Sequence, residues 1–173
     1  MLDLETMGTR PGCPVVAIGA VTFTPGTGLV GDKFYCTIDL KSCTEAGLQI
    51  DAGTVLWWLS QEDAARAELT KEGSLPLKEA LEQFRAWLPA SNVSIWGYGA
   101  TFDCPVLEGA YMAAKMPVPW SYRAPMCLRT LLNMTGVRVE MKKGVKHNAL
   151  DDAIAQVDAA HRAYQKLGLA YPF

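Results

Sequence analysis

Four acids and one histidine carry the chemistry that this 173-residue sequence suggests. Asp3 and Glu5 flank Leu4 in the opening run Met1-Leu2-Asp3-Leu4-Glu5. On an extended backbone, residues i and i+2 share a face, so the two carboxylates stand side by side while Leu2 and Leu4 turn to the core. Neighbouring carboxylates raise each other's pKa, and a divalent cation removes that repulsion. A solvated edge strand explains a lone Asp-x-Glu pair as well, so the pair alone decides nothing. Asp103 follows Trp96-Gly97-Tyr98-Gly99-Ala100-Thr101-Phe102, a strand end and glycine-rich loop that open onto a helix. Catalytic acids collect at strand ends in α/β sheets, and a helix-capping aspartate accounts for the same residue. In His147-Asn148-Ala149-Leu150-Asp151-Asp152 a histidine precedes a helix start and acids lie inside its first turn. Asp151 and Asp152 face about 100° apart on a helix, so only one of them can share a site with His147. Asp152 borders the apolar side marked by Ile154, Val157 and Ala160. His161, mid-helix, reads as a packing or surface histidine.

These residues need a scaffold, and the pattern supplies an α/β one. Val15–Phe23 is a β-branched apolar run and reads as a buried strand. The run 25–28 (Pro-Gly-Thr-Gly) is a turn, and Lys33–Leu40 is the next strand, which with Met1–Glu5 makes an antiparallel meander. From about Asp51 the period changes to helical, through the segment Thr54–Leu59 and a helix over Glu62–Leu69. Leu75–Leu88 is amphipathic, with Leu77, Leu81, Phe84 and Leu88 on one face. Val93–Trp96 is a short central strand, and helices follow over Asp103–Lys115, Met126–Met134 and Asn148–Leu167, the last with Asn148 as N-cap. Strands followed by alternating helices and strands predict one domain over 1–173: a mixed sheet flanked by helices. The polar stretch 136–146 reads as a mobile loop.

Bulk properties exclude several classes. Half of the residues are hydrophobic and a fifth are charged, which is ordinary globular composition. The five cysteines form no CxxC pair, and two distant histidines make a poor zinc set, so a zinc hydrolase is disfavoured. Scattered free thiols without a secretory segment predict a cytoplasmic protein. No window approaches the roughly 18 apolar residues of a membrane span. A net charge of −2 argues mildly against a non-specific nucleic-acid binder. Lys142, Lys143, Lys146 and Arg138 nevertheless cluster just before His147. Such a run is usually a solvated loop, but its position gives it a functional reading too.

Taken in order, Asp-x-Glu-Thr at the N-terminus, Phe-Asp at a mid-chain helix start and His-x-Ala-x-x-Asp near the C-terminus resemble the DEDDh exonucleases. That superfamily includes ribonuclease T, oligoribonuclease and the proofreading subunit of bacterial replicative polymerase. The segments DLETMG, TVLWWLSQ, WGYGATFD and HNALDDA look closest to phage and prophage exodeoxyribonuclease VIII-like proteins and to small bacterial 3′→5′ exoribonucleases. The resemblance spans Asp3 to about Gln165 and implies a ribonuclease H-like fold. It implies that Asp3, Glu5, Asp103 and Asp152 bind two divalent cations, Mg²⁺ or Mn²⁺, and that His147 is the general base. Hard carboxylate oxygens suit those ions, and an imidazole of unperturbed pKa near about 6.5 suits a base at neutral pH. Thr6 and Met7 fall where such enzymes meet the 3′-terminal sugar. Trp57, Trp58 and Phe102 are candidates for the terminal-nucleotide pocket, although adjacent tryptophans face different ways and at least one should pack in the core.

The implied substrate is a single-stranded DNA or RNA 3′ end, cut to nucleoside 5′-monophosphates. Phage-like relatives point to DNA and small bacterial ones to RNA. Many relatives are homodimers, and the sequence leaves that open. This chain departs from the pattern, since relatives of this type often carry asparagine near Tyr98 and at Cys104. The rival reading is a nuclease-fold module that has lost catalysis and holds nucleic-acid ends or a partner protein. Loss of a motif acid would favour it, and none is lost.

Overall fold

The computed structural model describes residues 1–89, 93–141, 144 and 147–169. Its first sheet is the expected meander: β1 (Leu2–Thr6), β2 (Val15–Thr24) and β3 (Leu29–Thr37), antiparallel in that order. The register sets Asp3 opposite Gly19 and Gly19 opposite Tyr35, while Glu5 opposes Ala17. Val15 to Val21 of β2 are all buried, as a strand covered on both faces must be. Gly28 closes the turn before β3 with φ of 71°, a conformation glycine adopts without steric cost. A parallel pair, β4 (Ile95–Gly97) and β5 (Pro125–Cys127), lies beyond β1.

Helices cover both faces of the sheet. On the face of Leu2, Leu4, Val15 and Ile18, α4 (Leu77–Trp87) and α5 (Asp103–Ala113) supply Leu81, Phe84, Val106, Leu107 and Tyr111. The Tyr111 hydroxyl donates to the Leu81 carbonyl at 2.9 Å, which lets a fully buried phenol keep a hydrogen bond. On the opposite face, α6 (Leu128–Thr135) and α7 (Ala149–Lys166) pack Leu128, Leu132, Val157 and Ala160 against Val21 and Trp96. Small residues dominate the buried stripe of α7 (Ala149, Ala153, Ala159, Ala160, Ala163), which lets its backbone come close to the strands. Towards the end of β1, α2 (Ala52–Leu59) and α3 (Asp63–Leu69) bury Trp58 and Ala65 with Met7 and Val16.

Two stretches differ from the sequence reading. The strand expected over Lys33–Leu40 ends at Thr37, because the Asp39 side chain accepts from the Lys41 and Ser42 amides and starts a helix, α1 (Leu40–Glu45). The helix expected over Met126–Met134 begins at Leu128, since Pro125–Cys127 pairs with β4 instead. A three-residue strand is too short to show a period of two. Lys142, Lys143 and Lys146 lie outside the described residues, and so does part of the loop 136–146.

Candidate active site

β1 turns Asp3 and Glu5 away from the buried Leu2 and Leu4, onto the face that receives α7. α7 comes down directly over β2. A methyl added at Gly19 would fall on the carbonyl carbon of Ala149 and the amide nitrogen of Leu150. The start of that helix is fixed by Asn148, whose Oδ1 accepts from the amides of Leu150 (3.1 Å) and Asp151 (3.2 Å). The sequence thus caps a helix where the sheet has no side chain, and its first turn presents Asp152 to Asp3 and Glu5.

His147 stands just before the cap with φ of 65°, a left-handed conformation uncommon for a non-glycine residue. Its backbone N–H donates to Asp152 Oδ2 at 2.9 Å, which ties the histidine to the acid five residues on. Ligand atoms of Glu5, His147 and Asp152 lie within 4.8 Å of one another, close enough to share an ion. Asp3 and Asp103 are not part of this trio but lie near enough for charge to act between them, Asp103 on Glu5, and Glu5 and Asp152 on Asp3. Asp103 opens α5 from the other side of β1 and is 1% exposed. The N-cap of that helix is Phe102 rather than Asp103, so the capping role does not account for the aspartate. Gly97 makes room for it: a methyl there would sit 2.6 Å from Asp103 Oδ2.

The electrostatics are those of acids gathered out of water. Asp3 is raised well above the usual carboxylate range by burial first, then by Asp103, Glu5 and Asp152, against a hydrogen bond from Gln156. Burial and the charges of Asp152, Asp103 and Glu68 push Glu5 up to about 8. Burial raises Asp103 to about 6, against the Gly99 and Tyr98 backbone amides and the Arg129 cation. Asp103 Oδ2 is buried with no hydrogen-bond partner among the described residues. Repelling carboxylates, an orphaned oxygen and a donor set of hard oxygens with one imidazole together fit a divalent cation.

A cavity of about 450 Å³ opens beside the acids, lined by Glu5, Thr6, Asp51, Thr54, Trp57, Trp58 and Phe102 among others. Trp57 is 43% exposed and its ring stands edge-on 5.0 Å from the His147 ring. Trp58 is buried and donates from Nε1 to the Thr6 carbonyl at 3.0 Å. Both tryptophans line the cavity, but Trp58 is packed in the core while Trp57 is exposed. Met7 does not line the cavity: its side chain is buried, its N–H donates to Pro14, and its carbonyl accepts from Asp51. The ring of His161 packs over Gly28 with Nδ1 3.0 Å from the Pro25 carbonyl, the packing role expected for it.

A family model described as the 3′-5′ exoribonuclease Rv2179c-like domain matches residues 1–164. The chain belongs to that family. The nuclease also resembles a solved structure, the nuclease domain of 3′hExo, a DEDDh family member bound to rAMP. The TM-score is 0.54 over 95% of this chain and 90% of that chain, at 15% identity. No match is found among curated proteins. The fold is ribonuclease H-like, and the chain is a 3′-5′ exonuclease. Among the described residues, no helix of this exonuclease is long and apolar enough to cross a membrane.

Sequence reasoning missed three residues that build the site. Gln156 donates to Asp3 Oδ1 at 2.6 Å from one turn beyond Asp152. The i, i+4 spacing from Asp152 was the signal that places it on the same helix face. Gly19 and Gly97 matter through the space they leave, which no local pattern announces.

Proposed function

We propose that this exonuclease removes nucleoside 5′-monophosphates from single-stranded RNA 3′ ends, with Asp3, Glu5, Asp103 and Asp152 holding two divalent cations, Mg²⁺ or Mn²⁺, and His147 as general base. The observation that carries this reading is the convergence of the His147 imidazole with the carboxylates of Glu5 and Asp152 beside a tryptophan-lined cavity. When bound, such cations would neutralise the scissile phosphate and acidify an attacking water. The imidazole of His147 takes the proton of that water as its oxygen attacks phosphorus, and the 3′ oxygen of the preceding nucleotide leaves. Asp152 accepts from the His147 backbone and so holds the ring near the acids. Gln156 fixes the rotamer of Asp3 in the same way. The exposed Trp57 ring and half-buried Phe102 offer faces for the terminal base, and stacking of that kind tolerates any base. A pocket for one unstacked nucleotide also disfavours a paired end. The family's exoribonuclease description supports RNA over DNA.

The test is a time course on 5′-labelled and 3′-labelled single-stranded RNA and DNA with Mg²⁺, Mn²⁺ or EDTA. The expected result is a descending ladder from 5′-labelled RNA, immediate release of labelled mononucleotide from the 3′ label, and silence in EDTA. Silence on every substrate with both metals would instead favour a catalytically inert module that holds nucleic-acid ends or a partner protein.

A further inference from the structure

At the rim of the acidic cluster stands the cation of Arg129, whose charge acts on Asp103. Arg129 is exposed in the first turn of α6, and its guanidinium has no hydrogen-bond or ion-pair partner among the described residues. It lies 4.9 Å from the centre of the Tyr98 ring. Tyr98 is 38% exposed, immediately after β4. Two features hold this pair in place. The Arg129 amide donates to the Tyr98 carbonyl at 2.9 Å, which joins the start of α6 to the loop after β4. Gly99 presents no side chain where the guanidinium lies, since a methyl there would be 3.3 Å from a terminal nitrogen. The same loop leads to Asp103, and the charge of Arg129 acts on that residue.

An arginine stacked on tyrosine is preorganised yet keeps its fork of N–H donors for a ligand. Beside a group of carboxylates it also offsets the field that repels a polyanion. We infer that Tyr98 and Arg129 form a platform for the strand that leads into the site, with Arg129 on a phosphate 5′ of the scissile one and Tyr98 against a base. The ligand class is single-stranded nucleic acid longer than the terminal nucleotide, bound without sequence preference. This rests on the exonuclease reading and extends it from the terminal pocket to the approaching strand.

The platform is tested by the length dependence of binding. Anisotropy of 5′-fluorescein oligoadenylates of two and eight nucleotides is measured in EDTA, where hydrolysis is stopped. The wild-type chain should bind the octamer about tenfold more tightly than the dimer, a gain of the size that one stacked base supplies. R129Q should erase most of that gain and lower the salt dependence by about 0.7 in the slope of log K against log salt, the value for one lost phosphate contact on a single strand. R129K should keep the slope, and Y98A should lose the gain while keeping the slope. A wild-type chain without length dependence would overturn the platform. So would an R129Q variant that binds both oligomers as before or weakens both by the same factor, or one whose only change is in oligomeric state. Digestion of the same octamer with Mn²⁺ separates the two readings: binding without cleavage would sink the exonuclease mechanism and leave the platform standing.

Discussion

Gly19 of β2 faces Ala149 of α7 with no space for a single methyl between them. Gly19 also pairs with Asp3 across the ladder, so the contact that seats the helix adjoins the first acid of the site. Gly19→Ala should push the start of α7 off the sheet and carry Asp152 and His147 with it. Overpacking of this kind costs about 1–3 kcal/mol, and a displacement of about 1 Å in a catalytic group costs about 100-fold in rate. Thermal unfolding and kcat on RNA check both. A variant with native melting temperature and native rate would show that the close approach is not needed.

The raised carboxyls make stability depend on pH in a definite direction. In the folded chain Glu5 holds its proton up to about 8, against an ordinary 4.5, and Asp3 is raised as well. Between those values the native state binds more protons than the unfolded chain, so stability is fully present at acid pH and falls as pH rises through that window. The cation-free protein should therefore melt at a lower temperature at pH 8 than at pH 5, by a difference on the order of a few kcal/mol in stability. If these acids bind Mn²⁺ as proposed, the ion takes the place of the protons and should stabilise more at pH 8 than at pH 5. Differential scanning fluorimetry with and without EDTA reads this. Equal metal-induced shifts at both pH values would contradict it.

His147→Asn removes the proposed base while keeping a residue type that accepts the left-handed backbone found there. The backbone N–H bond to Asp152 is retained. The rate at neutral pH should fall by about 10²–10⁴-fold, with the melting temperature preserved. A rate within a few fold of the wild type would remove His147 from the role of base.

The two tryptophans should separate cleanly. Trp58→Ala opens a cavity in a buried cluster and leaves the Thr6 carbonyl without its donor, a loss of about 3–5 kcal/mol. Trp57→Ala should leave stability nearly unchanged and raise KM for RNA by about tenfold, the worth of one stacked base. Unfolding by urea and steady-state kinetics distinguish them, and the reverse pattern would reassign the pocket.

The legible part of the site was the part written in local pattern. Alternation around Leu4 put Asp3 and Glu5 on one face, and Asn148 marked the start of the helix that carries Asp152. What could not be read depends on contacts far apart in sequence: Gly19 against Ala149 and Gly97 behind Asp103, while the spacing of Gln156 from Asp152 gave its helix face but not its partner Asp3. A missing side chain leaves no periodic trace, and a polar residue inside a helix looks solvated until the sheet beneath it is placed. Elements of the fold were lost for a related reason. Pro125–Cys127 and Leu40–Glu45 are too short to show a period, although Asp39 did offer a capping signal. The division between Trp57 and Trp58 follows from helix geometry, but which one packs depends on the position of Thr6.

Anomalous diffraction from a crystal of the wild-type chain soaked in Mn²⁺ tests the central claim most directly. Two manganese peaks should appear in the space bounded by the carboxylates of Asp3, Glu5, Asp103 and Asp152, with His147 at its edge. Manganese bound only elsewhere, or none at millimolar concentration, would contradict the account.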